Sequence, residues 1–164
     1  MNKNKVLIVL GGGGYYGEMK KIINILDVNE FDLHYVTGED SQSILKNYDS
    51  ERCYTLPKLS HVSTRSLVKR ATALLFVSVS AFKLIHKLRP DVVISIGVSL
   101  SVPIFVCCIG RKTKCIFIES LTRVDDLSLT GKIINRFRLS DRFYVQWKSL
   151  SKKYGRSVFS GKIL

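Results

Sequence analysis

The sequence predicts an α/β fold: a doubly wound, mostly parallel, Rossmann-like sheet. Three observations predict it. Strand-like and helix-like stretches alternate through the 164 residues, the pattern of successive βαβ units. The first apolar run, Lys5 to Leu10, is continuous rather than alternating, as a central strand covered on both faces should be. A glycine cluster, Gly11 to Gly14 with Gly17, then separates that run from a helical stretch, where such folds turn from first strand into first helix.

Each element follows in order. Gly17 to Leu26 places Met19, Ile22, Ile23 and Leu26 at helical spacing. Phe31 to Thr37 alternates as a strand and is broken by Gly38, Glu39 and Asp40, after which Ser41 to Asn47 reads as a short helix. Ser63 to Leu88 forms one long helix or two, with an apolar stripe through Leu67, Ala71, Leu74, Leu75, Val79, Phe82, Leu84 and Ile85. Then come a strand over Asp91–Ile96, a helix over Leu100–Ile109 and a strand over Lys114–Ile118. Thr130 to Leu139 reads as helix, Arg142 to Trp147 as strand, Ser149 to Tyr154 as a helical turn, and Ser157 to Ser160 as a last short strand. Residues 92–110 carry no charge, but Gly97, Pro103 and three serines make them a strand, a turn and a helix rather than a membrane span. In a doubly wound sheet, ligands lie beyond the carboxyl ends of the strands. Chemistry is therefore expected in the loops after Leu10, Thr37, Ile96, Ile118 and Trp147.

A chain of this length fits one domain and needs no disulfide or metal to hold it. Its net charge of +13 is unusual and uneven. Residues 1–82 carry 10 basic and 8 acidic side chains, and residues 83–164 carry 16 and 5. One block, Arg52 to Pro90, holds eight basic residues and no acid; another, Leu127 to Leu164, holds nine against Asp141 alone. Such blocks fit either a solvated face or a surface that meets an anionic partner. No helix-turn-helix signature or interleaved aromatics favour nucleic acid. Cys53, Cys107, Cys108 and Cys115 lack CxxC spacing and paired histidines, so no zinc site is expected. Cys107, Cys108 and Cys115 read as buried small apolar residues. The N-terminus has no signal-peptide pattern, and a reducing cytoplasm is the expected compartment.

The loop Gly11-Gly-Gly-Gly-Tyr-Tyr-Gly17 allows a phosphate to approach the backbone and reach a helix N-terminus. It lacks the Gly-Lys-Ser/Thr of a Walker A loop. Gly12, Gly14 and Gly17 satisfy G-x-G-x-x-G, and Glu39 or Asp40 stands near the ribose-binding position. A small NAD(P)-binding Rossmann protein is thus one reading, and a tight turn without ligand is another. Asp125 and Asp126 precede a helix and read as its N-terminal caps. His34, His61 and His86 are scattered, and His34 reads as a strand residue only.

Family motifs point further. Ile116-Phe-Ile-Glu-Ser120, Arg123-Val-Asp-Asp-Leu-Ser-Leu-Thr-Gly-Lys132, Asp141-Arg-Phe-Tyr-Val-Gln-Trp147 and Lys153-Tyr154 resemble the membrane-anchoring subunit of the eukaryotic dolichol-linked UDP-N-acetylglucosamine transferase. They resemble still more its bacterial counterparts, which assist glycosyltransferases of capsule and exopolysaccharide synthesis. Gly13-Gly-Tyr-Tyr-Gly-Glu-Met19 is similar to the family's glycine loop, and Pro90-Asp-Val-Val-Ile-Ser-Ile-Gly97 through Val102-Pro103 to its middle strand and second turn.

The resemblance implies that residues 1–164 are a single acceptor-binding domain, equivalent to the N-terminal half of a GT-B glycosyltransferase. Such a domain binds a polyprenyl-diphosphate-linked saccharide, as in the related peptidoglycan N-acetylglucosaminyltransferase. A donor-binding subunit of similar size is then expected to bring the nucleotide sugar, UDP-linked by the same resemblance, so this chain carries no cofactor and is inactive alone. The residues expected to bind the substrate are Gly12, Gly13, Gly14, Tyr15, Gly17, Gly97, Glu119, Ser120 and Arg123, from the glycine loop and the loops after the strands. Relatives commonly have histidine where Tyr15 stands, and a tyrosine with its ordinary pKa near 10 is a poor base at neutral pH. No catalytic base is therefore assigned; Glu119 is a candidate if burial raises its pKa, with an ion pair to Arg123 or capping of a turn as the structural alternative. Trp147 and Tyr154 are the expected partner interface. Arg65, Lys69, Arg70, Lys83 and Lys87 are expected to meet an anionic membrane, holding the protein peripherally on the inner face of the cell membrane.

Overall fold

A computed structural model describes residues 3–57 and 67–163, without the side chains of residues 67–71. The elements are β1 (Asn4–Val9), α1 (Gly14–Ile23), β2 (Phe31–Gly38), a 3-10 helix (Glu39–Asn47), a 3-10 turn (Ser50–Arg52), β3 (Cys53–Leu56), α2 (Leu67–Leu88) and β4 (Val92–Ile96). They continue with α3 (Ser101–Cys108), β5 (Lys114–Ile118), α4 (Leu129–Arg136), β6 (Arg142–Val145), α5 (Lys148–Lys153) and β7 (Val158–Phe159).

The seven strands lie in the order β3-β2-β1-β4-β5-β6-β7, and every pairing is parallel. The chain works outward from β1 to β3, returns to the other side of β1 with β4, and then works outward again. The order reverses between β1 and β4, which makes that junction the switch point where a doubly wound sheet opens a crevice.

Both faces of the sheet are covered, which explains the unbroken apolar run of β1. Val6, Ile8 and Leu10 face a core with Met19 of α1, Leu33, Tyr35, Ile94 and Ile96. Leu7 and Val9 face the opposite core, with Ala81 and Ile85 of α2, Phe105 of α3, and Val93, Phe117 and Val145. Phe117 meets Phe105 edge-on at 6.5 Å between centroids and Phe143 at 5.1 Å, tying β5 to α3 and β6.

Two aspartates set the strand starts. The Asp91 carboxylate accepts from the Lys5 amide (2.7 Å), and that of Asp141 accepts from the Cys115 amide (2.9 Å) and the Lys114 ammonium (3.0 Å). The lone acid of the second basic block thus aligns β6 with β5.

The alternation expected from sequence is present, with differences at the edges. The first helix begins three residues earlier than expected, at Gly14, because the glycine loop itself winds into its first turn. β3 went unpredicted: it is a four-residue edge strand, paired only with β2 and too short to show a period. Residues 92–110 are β4, a turn and α3, and no described helix is long and apolar enough to cross a membrane. Cys108 and Cys115 are buried, whereas Cys107 is half-buried, its thiol towards the Ser78 carbonyl at 3.7 Å. The expected caps Asp125 and Asp126 do not cap α4. Ser128 does, its hydroxyl accepting from the Gly131 amide at 3.0 Å.

Candidate functional site

A cavity of ≈ 480 Å3 opens at the switch point, beyond the carboxyl ends of β1, β2 and β4. Its walls come from four of the five loops expected to hold chemistry: Gly11, Gly12 and Tyr15 after β1, Asp40 and Ser41 after β2, Gly97 to Leu100 after β4, and Arg123 with Ser128 to Thr130 after β5. The loop after β6 does not reach it.

Local geometry builds the floor. Gly97 has φ +60°, and a Cβ there would stand 2.5 Å from Cε1 of Tyr15, so only glycine lets the Tyr15 ring lie against this turn. The Thr37 hydroxyl, fully buried, donates to the Leu10 carbonyl at 2.9 Å and locks the ends of β1 and β2 together. Helix α1 starts after Gly13 with no side-chain cap and no acid in its first turn. The Tyr16 and Gly17 amides bond back to the Gly13 carbonyl, which leaves those of Gly14 and Tyr15 without an acceptor among the described residues, and the helix dipole favours an anion there.

Of the residues expected at the site, the structure gathers Gly12, Tyr15, Gly97 and Arg123 around the cavity. Gly13, Gly14 and Gly17 do not line it, and a Cβ on any of them would meet nothing within 4 Å. This weakens the dinucleotide reading, because the third glycine of that fingerprint serves close helix–strand packing, and Gly17 makes no such approach. Arg123 forms no ion pair among the described residues, and the expected alternative of a Glu119–Arg123 bridge is not made.

Glu119 and Ser120 lie behind the wall. The Glu119 side chain is fully buried and accepts from the Ser128 amide (2.9 Å), the Ser128 hydroxyl (3.0 Å) and the Ser120 amide (3.1 Å). Burial pushes its pKa above the usual carboxylate value, opposed by those hydrogen bonds and by the charge of Arg123. Ser120 donates through its hydroxyl to Glu18 of α1 at 2.6 Å, and the Leu121 amide donates to the same carboxylate at 3.0 Å.

Glu18 and Gln146 were not expected from sequence as organisers of this region. Gln146, at the end of β6, is buried and donates to Glu18 and to the Glu119 carbonyl, while its oxygen accepts from the Ile163 amide at 2.7 Å. A polar residue directly after a strand, flanked by Val145 and Trp147, was the available signal. The two expected interface aromatics belong to the same framework. Trp147 donates to the Leu121 carbonyl at 2.7 Å with the Lys162 ammonium 3.7 Å from its ring centroid, and the Tyr154 hydroxyl bonds to Asp126. Asp126 also pairs with Lys132 and Lys153. The loop that carries Arg123 is therefore fastened on both sides.

Lys83 and Lys87 are exposed on α2, next to a face that leaves Leu75 63% and Phe76 68% exposed together with Val79 and Phe82. Ile109, just after α3, is also exposed, and the Arg111 guanidinium stands 5.6 Å from the Phe82 ring centroid. Arg65 and the side chains of Lys69 and Arg70 lie outside the described residues. His34 sits between Asp32 (3.1 Å) and the Tyr54 hydroxyl (3.4 Å) and does not line the cavity.

This sheet and switch-point cleft define a Rossmann-like half of a GT-B glycosyltransferase fold. Among solved structures, MurG of Acinetobacter baumannii superimposes with a TM-score of 0.70 at 14% identity, over 90% of this chain but 43% of its own. The UDP-GlcNAc 2-epimerase of Methanocaldococcus jannaschii gives 0.66 at 16% identity, over 96% of this chain and 45% of its own. The chain thus spans less than half of either neighbour. It belongs to the family described as oligosaccharide biosynthesis protein Alg14 like, which matches residues 6–163. Curated relatives include the UDP-N-acetylglucosamine transferase subunits ALG14 of Debaryomyces hansenii, 32% identical over 98% of this chain and 77% of the relative, and of Homo sapiens, 31% identical over 97% and 82%.

Proposed function

We propose that the protein is the acceptor-binding and membrane-recruiting subunit of a two-component glycosyltransferase, inactive without a separate donor-binding subunit. It would present a polyprenyl-diphosphate-linked saccharide, and the partner would bring the nucleotide sugar, UDP-linked as in the relatives' names, for surface polysaccharide synthesis such as capsule or exopolysaccharide. The observation that carries this reading is the switch-point cleft, where Tyr15 in the uncapped first turn of α1 and Arg123, which forms no ion pair among the described residues, line one cavity. Free amides, a helix dipole and a guanidinium together suit a diphosphate. The relatives' designation as transferase subunits supports the division of labour.

Recruitment is assigned to the α2 face. Leu75, Phe76, Val79 and Phe82 offer apolar insertion beside Lys83, Lys87 and Arg111, the combination that holds peripheral proteins on anionic bilayers. The inner face of the cell membrane is the proposed location. The donor-binding subunit is placed on the side of Trp147 and Tyr154, where Val158 and Phe159 of the edge strand β7 are also exposed.

The test is affinity capture of the tagged chain from its host's membranes. The expected result is a co-purifying small polypeptide and nucleotide-sugar-dependent transfer to a polyprenyl-diphosphate acceptor, absent from either component alone. Gly97→Ala, which drives a Cβ into Tyr15, is expected to abolish transfer while leaving the partner bound. A lone protein that binds dinucleotide and no membrane would refute the proposal.

A further inference from the structure

Transfer to a sugar hydroxyl requires a group that removes its proton, and resting on the acceptor reading above, we propose that Asp40 is that group. Among the described residues, Asp40 is the one carboxylate lining the cavity. Glu119 is sealed from it, with both oxygens committed to Ser120 and Ser128. No described histidine lines it: His34 is held by Asp32 and Tyr54, and His86 lies on α2.

The Asp40 side chain forms no hydrogen bond and no ion pair among the described residues, so its oxygens remain available to a ligand. Its position is prepared by Gly38. That residue has an ordinary extended backbone, φ −80° and ψ 158°, so the conformation itself does not call for glycine. A Cβ there would stand 2.7 Å from Oδ1 of Asp40. The missing side chain leaves the space in which the carboxylate folds back over the end of β2.

Charge then orients the acceptor. A carboxylate repels a diphosphate, whereas the α1 N-terminus and Arg123 attract one, so the saccharide end lies against Asp40. Hydroxyls of Ser41, Ser99 and Thr130 line the same cavity and suit sugar hydroxyls. In the step, the acceptor hydroxyl oxygen attacks the anomeric carbon of the nucleotide sugar. The bond from that carbon to the phosphate oxygen breaks, its electron pair leaves with the nucleoside diphosphate, and the hydroxyl proton passes to Asp40.

The experiment is steady-state kinetics of the two-subunit complex with a polyprenyl-diphosphate-linked sugar and the nucleotide sugar. Asp40→Asn, which keeps the shape and removes the base, is expected to lower kcat by about 10²- to 10⁴-fold with the acceptor KM unchanged. Asp40→Glu should retain measurable turnover, and Gly38→Ala, which displaces the carboxylate, should lower kcat as well. Thermal melting of each variant separates these effects from unfolding. An Asp40→Asn complex with wild-type kcat, or one whose loss lies wholly in KM, overturns the role of Asp40; in the first case the residue merely complements the start of the 3-10 helix. A wild-type complex that transfers nothing overturns the acceptor reading itself, a separate result.

Discussion

Glu119 and Gly131 share one space: a Cβ on Gly131 would fall well inside van der Waals contact distance of the Glu119 Oε2 atom. The carboxylate reaches Ser128 only because the third residue of α4 has no side chain. Buried acid, N-cap serine and glycine therefore form one unit beneath the wall of the cleft.

Gly131→Ala is accordingly expected to destabilise the protein by about 1–3 kcal/mol, the usual cost of overpacking. Helix propensity alone predicts the opposite sign, since alanine is better than glycine by about 1 kcal/mol. Urea unfolding decides between them, and an unchanged or raised midpoint refutes the shared-space account. In a Glu119→Ala background the same substitution should cost less, which a double-mutant cycle measures.

The buried carboxyl also predicts a pH dependence. Its folded pKa lies above its unfolded value because desolvation dominates. The folded chain then binds this proton more readily, so the contribution to stability is full below the unfolded value and is lost as pH rises through the folded one. The Tm of the wild type minus that of Glu119→Gln should fall as pH rises above the ordinary glutamate range. A difference that stays constant across that range contradicts the assignment.

Asp126 behaves oppositely. Hydrogen bonds from Lys132, Tyr154 and Lys153 hold its pKa far below the usual carboxylate range. Its contribution is present above the unfolded value and lost as pH falls through the folded one. The pairs are exposed, so Asp126→Asn is expected to change global stability little. Its effect should appear in hydrogen exchange, as faster exchange of amides in residues 121–127, the loop that carries Arg123. Unchanged exchange there would show that the loop is held without Asp126.

Gln146 joins α1, the end of β5 and residue Ile163 through one buried amide. Replacing it with leucine keeps the volume but strands its partners, at about 1–3 kcal/mol for each buried group left unpaired. Denaturant unfolding should show a loss of that size, and a near-neutral Gln146→Leu would mean that water or a neighbour takes over those bonds.

Much of this architecture was legible in order along the chain. The continuous run of β1, the glycine turn and the helical spacing of α2 are local patterns, and burial on both faces leaves its mark in consecutive residues. β3 escaped because four residues at an edge carry too little period. The start of α1 was misplaced because glycines that read as loop form its first turn. At the cleft, the lining by Gly12, Tyr15, Gly97 and Arg123 was legible because glycine loops and a basic residue after a strand announce themselves. Glu18 and Gln146 were missed because their importance lies in partners more than a hundred positions apart.

By itself, then, the sequence determined the layers, the parallel sheet and the end of the sheet at which a cleft must open, because hydrophobic periodicity and turn chemistry are properties of neighbouring residues. Only the tertiary structure decided which carboxylate faces that cleft. Glu119 and Asp40 both follow strands, yet one is sealed by Ser120, Ser128 and the bare Cα of Gly131, while the other rests over Gly38 with no hydrogen bond or ion pair among the described residues. The exposure of an ionisable group depends on what distant segments pack against it, and no local pattern encodes that.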